Sequence, residues 1–332
     1  HMPRNVEIFL NVSKIEQTNQ NPKIMKRFIS IIACLVIGCA AWAQTSDSEA
    51  FANAEWKITE LERGAVAMYA QIPMFNSVQS ICVIKYPAKK FQTEILHRPG
   101  KEQADIPSKI GKEVGAAFAL NAGYFDMKKL TPTVYFRVGD EVYGETHPTE
   151  EYRVDGVIAF KNKKGTKVLI AKSTPAEYDE VAGKCHAVMA TGPTLMIKDE
   201  IVVPELMGNA ADGANAAAAQ EELKRSGKSS QHYSSAKFYD KRHPRTAIGT
   251  DKKGNIYMVV IDGRFPGQAD GATIWETARI CELLGMNDAI NLDGGGSTTI
   301  WSEETGVINH PYDNRKFDHN GERKIPNLIV AY

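Results

Sequence analysis

Net charge is absent: Lys+Arg and Asp+Glu each total 40 in 332 residues. No global field therefore draws the chain to nucleic acid or to an acidic partner, and any capture of a charged ligand must be local. Cysteine is scarce. Of five, Cys34 and Cys39 sit in an N-terminal segment read below as removed, leaving Cys82, Cys185 and Cys281 far apart. Three scattered cysteines make neither a disulfide framework nor a zinc motif. Cys82 in SICVIKY and Cys281 on an apolar helix face read as small buried hydrophobes, although a Cys82–Cys185 or Cys185–Cys281 bridge stays open for an exported chain. His147, His186 and His319 lack paired ligand spacing, so no zinc site is expected and no residue is assigned as a metal ligand. No apolar run is long enough for an integral membrane span. The stretch GGGST lacks the second glycine of a G-x-S-x-G elbow, which argues against Ser297 as a nucleophile. There is no internal repeat.

What is present begins with a leader. Residues 1–24 read as an upstream mis-start or disordered segment. From Met25 the chain reads MKRFISIIACLVIGCAAWAQ, with Lys26 and Arg27 ahead of a short apolar core and a small-x-small site at Ala41–Ala43. That is the pattern of a signal peptide over 25–43. Cleavage after Ala43 gives an exported protein, periplasmic or extracellular. The run VIGC also resembles a lipobox, and the alternative is a lipoprotein anchored through Cys39.

Residues 44–115 read as a strand and helix region packing on a larger domain over 116–332. Val78–Tyr86 is a strand by its β-branched content, stopped by Pro87, and Ala104–Gly115 a short helix with Pro107 in its first turn. Hairpins are expected at Asp155–Phe160 with Lys167–Ala171, and at Arg245–Thr250 with Ile256–Asp262. The Ala-rich polar stretch 206–230 reads as an exposed insertion. Thr273 and Glu276 stand at capping-box spacing at the head of a helix over Thr273–Leu284, with Gly285 closing it. Many strands, few helices and frequent hairpins predict an α/β (α+β) fold, one large domain with a mixed β-sheet core. The order strand, helix, strand from Ile256 to Leu292 predicts a crossover that sets Asp262 and Asp293 on one sheet edge, where ligands bind in such sheets.

The stretch AINLDGGGSTTIW, Ala289–Trp301, is the most unusual. A strand that turns through three residues lacking Cβ costs backbone entropy and makes sense where a backbone or ligand must come close. Gly294, Gly295 and Gly296 leave a concave row of N–H groups suited to an anionic oxygen. Four other clusters, NAGYF at Asn121–Phe125, TGP at Thr191–Pro193, RTAIG at Arg245–Gly249 and DGR at Asp262–Arg264, also put polar residues beside glycine where apolar runs end. Singly, each is explained by turn chemistry. Together they place charged residues repeatedly where strands run out. Asp293 and Asp262 form a carboxylate pair of the kind used in sugar chemistry. Arg245 and Arg264 supply forked donors for phosphate, or else pair with those aspartates. Glu276 reads as a helix cap rather than a catalytic acid, and His243 as a surface histidine rather than a base.

RTAIG, VVIDGR, the helix with Glu276, AINLDGGGSTT, the upstream NAGYF and the downstream ERKIPN together resemble the phosphodiester glycosidase family, over about Ala116–Tyr332. The resemblance implies a secreted bacterial hydrolase that cleaves the sugar C1–O bond of a sugar-1-phosphodiester, such as an α-N-acetylglucosamine-1-phosphodiester, with no cofactor. A phosphate leaving group needs little protonation, so arginines can replace a general acid. Asp293 or Asp262 would act as nucleophile or base, and Arg245 and Arg264 would clamp the phosphate. Asn121, Thr191, Gly192, Ser297, Glu276, Arg323 and the three glycine amides would line the substrate site, with Tyr124 or Trp301 stacking on sugar. Two other readings stand beside it. One is a phosphodiesterase that breaks P–O around a divalent cation at Asp262 and Asp293. The other is a non-catalytic envelope protein that binds polysaccharide.

Overall fold

The computed structural model describes residues 46–205 and 237–332. The leader over 25–43 and the insertion over 206–230 fall outside the described residues. Ser46–Tyr332 forms one compact unit. No helix among the described residues is long and apolar enough to cross a membrane.

The strands that build and flank the site are, in chain order, β1 (Lys57–Glu60), β2 (Val66–Met74), β3 (Ser77–Pro87), β4 (Phe118–Asn121), β5 (Ala187–Thr191), β6 (Thr194–Ile197), β7 (Glu200–Ile201), β8 (Arg245–Thr250), β9 (Asn255–Ile261), β10 (Asp288–Asn291), β11 (Ile300–Ser302) and β12 (Asn327–Ala331). Three helices matter: α1 (Asp47–Ala52), α2 (Pro107–Val114) and α3 (Ile274–Leu283). An eight-stranded sheet runs β1-β2-β3-β9-β8-β10-β6-β7. A five-stranded sheet sets β5 between Gly156–Phe160 and Phe136–Val138, and another runs from Gly306–Val307 through β11, β4 and β12 to Thr93–His97.

Alternation along the strands explains the layering. On β3, Cys82, Ile84 and Tyr86 face a central core shared with Phe118 and Leu120 of β4 and Val188 and Ala190 of β5. Ile81 and Val83 face the other side, where Ile274, Ala278 and Cys281 of α3 cover the sheet. A third cluster joins Ile110 of α2 to Trp301 and Leu328. Gly111 is what lets α2 settle there, since a Cβ at that position would lie 2.5 Å from the Trp301 ring.

The expected α+β class holds, with a refinement to the mixed sheet: every strand pair among the described residues is antiparallel. β9 and β10 do run parallel to each other, because β8 lies between them and pairs antiparallel with both. The strand, helix, strand crossover through α3 is thus as expected. Its consequence is that the end of β9, the start of β8 and the end of β10 share one sheet edge, which places Asp262, Arg245 and Asp293 side by side along it. Both expected hairpins form. Capping of α3 is reciprocal, Glu276 N donating to Thr273 Oγ1 and Thr273 N donating to Glu276 Oε2.

Candidate active site

The glycine turn is bolted at both ends by one side chain. Asn121, at the end of β4, donates from Nδ2 to Asp293 O at 2.5 Å, while its Oδ1 accepts from Thr299 N and Thr246 Oγ1. Leu292 N and Asp293 N donate to Thr246 O and Ala122 O. Between these anchors Gly295–Ser297 makes a single 3₁₀ turn. Each glycine admits a different neighbour, and all are the protein's own. A Cβ on Gly294 would stand 2.6 Å from Pro244 O, and one on Gly295, held at φ 62°, 3.2 Å from Arg264 Nη2. A Cβ on Gly296 would collide with Arg323 Nη2 and Asp313 Oδ1. The close approach expected of this turn is therefore made by two arginines and a carbonyl. The amides of Gly295, Ser297 and Thr298 donate to Pro244 O, Gly294 O and Gly295 O, so only part of the expected anion-holding row is left.

Above the turn lies a cleft of about 300 Å³ lined by Asp293, the three glycines, Arg153, Arg245, Arg264, Arg323, His243, Pro244 and Phe238. Asp293 is the single carboxylate among those residues. Burial pushes its pKa from the ordinary 3.8 up to about 6, against the opposing pull of Arg153, Ser297 and Arg323. Ser297 Oγ is buried and closes no hydrogen bond, yet lies near enough to favour the charged carboxylate.

The four guanidinium groups are held in different ways. Arg245 is buried, donating Nε to Ala272 O and Nη2 to Phe238 O and Lys241 O, and burial lowers its pKa to about 10, leaving it charged at neutral pH. Arg153 lies 3.8 Å over the Tyr124 ring and donates Nε to Glu150 Oε2 at 2.6 Å. Arg323 is held by a two-pronged pair with Asp313, at 2.8 and 2.5 Å. Arg264 is exposed, sits at φ 68° and lies 5.2 Å from the Tyr312 ring centre. His243 is half-buried, and burial followed by the nearby arginines lowers its pKa to about 4, so it is neutral at pH 7. It is a cleft residue, not the surface histidine expected.

The structure brings Asp293, Arg245, Arg264, Arg323 and the glycines together and leaves several expected partners out. Asp262 reaches the same sheet edge but does not line the cleft. Its carboxylate turns away to accept from Ser80 Oγ, Asn309 Nδ2, His310 N and His310 Nδ1. The expected Asp262–Asp293 pair is not assembled. Tyr124 and Trp301, each 1% exposed, have no ring face to offer a sugar. Tyr124 instead donates its hydroxyl to Gly192 O at 2.7 Å. Asn121 and Thr191 are buried braces, Thr191 Oγ1 donating to Asn291 O, and Gly192 packs against the Arg153 carbonyl. Glu276 caps α3 and pairs with Arg242. The supposed pairing of Arg245 and Arg264 with the two aspartates is absent.

Arg153 and Phe238 were not foreseen. Arg153 stands just ahead of a strand start rather than at a strand end, and the rule that charges mark strand ends finds it only when applied at both ends. Nothing local in the sequence marks Phe238 as a cleft wall.

Comparison with known proteins gives the chain's family and fold. A family model described as phosphodiester glycosidase matches residues 114–332. N-acetylglucosamine-1-phosphodiester alpha-N-acetylglucosaminidase is 38% identical over 69 residues in Bos taurus and 37% over 78 residues in Homo sapiens. Those alignments cover 21% and 24% of this chain but only 12% and 15% of the relatives, so the chain spans a small part of their length. The solved catalytic domain of the zebrafish N-acetylglucosamine-1-phosphodiester alpha-N-acetylglucosaminidase, auto-inhibited by its pro-peptide, superposes with TM-score 0.54 and 17% identity, covering 84% of this chain and 82% of that one. A hypothetical protein from Synechocystis superposes at 0.57 with 14% identity, over 83% and 63% of the two chains. At such identities the likeness is one of fold.

Proposed function

The chain belongs to the phosphodiester glycosidase family, and from that premise we propose that its cleft hydrolyses the sugar C1–O bond of a sugar-1-phosphodiester, such as an α-N-acetylglucosamine-1-phosphodiester, releasing free sugar and a phosphomonoester. The observation that carries this reading is one carboxylate of raised pKa ringed by four guanidinium groups. Ordinary glycosidases use two carboxylates because an alkoxide leaving group must be protonated. A phosphomonoester is a far weaker base. Arg153, Arg245, Arg264 and Arg323 need only hold its charge as it develops, which preorganised donors do without a proton transfer.

Asp293, ionised above about pH 6, takes a proton from water as the water oxygen bonds to C1. The C1–O bond breaks with its electron pair passing to the phosphate oxygen. The sugar leaves with a new hydroxyl, and the phosphomonoester carries the second negative charge. Direct attack by the Asp293 carboxylate is the other route to the same products. The two are told apart by whether NMR of the nascent sugar shows inversion, for the base, or retention, for the nucleophile. The leader read at residues 25–43 supports export of this activity.

Hydrolysis of a panel of sugar-1-phosphodiesters in ¹⁸O-water tests the proposal. Label on the sugar is expected. Label on the phosphate would establish P–O cleavage instead, and binding of the panel without turnover would make the chain a carbohydrate-binding protein. A cation shared by Asp262 and Asp293 loses support from the direction in which Asp262 faces.

A further inference from the structure

Asp313 takes two of the three side-chain nitrogens of Arg323, Nε at 2.8 Å and Nη2 at 2.5 Å. Nη1 is the end left for a ligand in the cleft that Arg323 lines. Its acceptor among the described residues is a sulfur, Met127 Sδ, at 3.6 Å. Met127 is 57% exposed. Five other described methionines are buried and Met68 is half-buried. The backbone fixes Met127 in its place. Phe125–Asp126 pairs antiparallel with Thr131–Pro132, and Met127 opens the short loop between them. Asp126 Oδ1 accepts from Lys128 N and Lys129 N, and Leu130 N donates to Asp126 O, so the loop is a closed turn.

An exposed thioether is open to oxidants, and here the thiols do not compete. Cys82, Cys185 and Cys281 are buried, and burial raises the pKa of each, which suppresses the reactive thiolate. With hydrogen peroxide the sulfur lone pair attacks one peroxide oxygen and the O–O bond breaks. That oxygen stays on sulfur, and the other leaves as water with both protons. Sulfur is oxidised by two electrons and the peroxide is reduced. The product changes what Arg323 meets: a thioether is a weak acceptor, whereas a sulfoxide is polar and offers an oxygen.

We propose that Met127 is an oxidation site for peroxide-class oxidants, and that its sulfoxide oxygen captures Arg323 Nη1 and weakens the hold of the cleft on phosphate. The inference rests on the reading of the arginines as the phosphate clamp. Two effects of the new oxygen run in the same direction. It competes for the N–H groups of Nη1, and its negative end repels an anion placed beside Arg323. Asp293 keeps its own surroundings, so the loss falls on phosphate affinity and KM and not on kcat.

Graded hydrogen peroxide treatment with peptide mapping, followed by calorimetric titration with inorganic phosphate, tests this. Met127 is expected to convert before any other described methionine. The phosphate Kd should then rise about tenfold, the lower end of the worth of a hydrogen bond to a charged group. Methionine sulfoxide reductases should restore it. Met127→Leu keeps the apolar bulk without the sulfur, so it should bind phosphate as the untreated parent does and be unmoved by peroxide. Met127→Gln carries an amide oxygen in place of the sulfoxide and should bind phosphate weakly with no oxidant present. Full conversion of Met127 with unchanged phosphate affinity overturns the proposal, as does an equal response to peroxide in Met127→Leu. Untreated parent that bound no phosphate would also overturn it, and of these outcomes that one alone reaches the proposed hydrolysis, whose ¹⁸O assay is read separately.

Discussion

Asp293 concentrates the chemistry in one titratable group, and its burial makes that chemistry visible to pH. With a pKa near 6, kcat/KM should rise with pH and level off above that value, and Asp293→Asn should lose both the rise and about 10²- to 10⁴-fold of the rate. Stability runs the opposite way. A carboxyl whose folded pKa is raised from 3.8 to about 6 gives stability that is complete below pH 4 and is lost as pH climbs through 6. Asp293→Asn should therefore be more stable than the parent at pH 7, by about 1–3 kcal/mol, while being far less active. His243, with its pKa lowered to about 4, gives stability present above 6.5 and lost as pH falls toward 4. Urea melts of the parent, Asp293→Asn and His243→Gln across pH 4–7 separate the two slopes, and parallel curves for all three would refute both assignments. At this scale the sequence led to Asp293, Arg245 and Arg264, which line the cleft, because charge beside glycine where an apolar run ends is a local signal, whereas Arg323 was marked only by the family resemblance of ERKIPN. It misplaced Asp262 because the acceptor geometry that captures its carboxylate comes from Ser80, Asn309 and His310, remote in sequence. The same blindness to depth made Tyr124 and Trp301 look like sugar platforms.

The element that decides the site is the turn after β10. Its glycines are not equivalent. Gly296→Ala must displace the Arg323–Asp313 pair, so a loss of about 1–3 kcal/mol in stability and a raised KM are expected together. In Gly295→Ala the new methyl meets only the mobile end of Arg264, but the φ of 62° still disfavours it, so stability should fall with a smaller effect on KM. Thermal melts with Michaelis kinetics on the two variants check the ordering, and equal KM values would show that Arg323 is not set by Gly296. For α3, Thr273→Ala removes one half of the capping box at a cost of about 1 kcal/mol, readable by denaturant titration. That cap, Pro107 opening α2 and the two hairpins were legible because their signals lie within a few residues. β2 was not. Its run VAMYAQIPM has a single polar residue, Gln71, and so lacks clear alternation, and it contains Pro73, which is tolerated because β1 pairs only with Val66–Tyr69 and leaves that stretch an edge.

Across the whole molecule, a chain with no net charge gathers four arginines around one carboxylate at one sheet edge. That separation is what antiparallel order achieves: β8 enters where β9 and β10 leave, so Arg245 is delivered between two acidic strand ends without a long loop. Antiparallel pairing throughout could not be read from the strand runs, since pairing partners such as β3 and β9 lie about 170 residues apart in the chain. The field of the cleft yields the broadest prediction. A site built to hold the charge of a departing phosphate should also hold phosphate itself. Inorganic phosphate is expected to inhibit competitively, with an inhibition constant that rises with salt as the exposed guanidinium of Arg264 is screened. Arg264→Ala should weaken phosphate by about 10- to 100-fold, the worth of a hydrogen bond to a charged group. Arg245→Lys tests a different contribution. Its three carbonyl acceptors, Ala272 O, Phe238 O and Lys241 O, fit a fork and not a single ammonium, so that variant should lose stability as well as affinity. Phosphate that failed to compete with a turned-over substrate would mean that the arginines face another part of the ligand, and the leaving group would have to be sought elsewhere in the cleft.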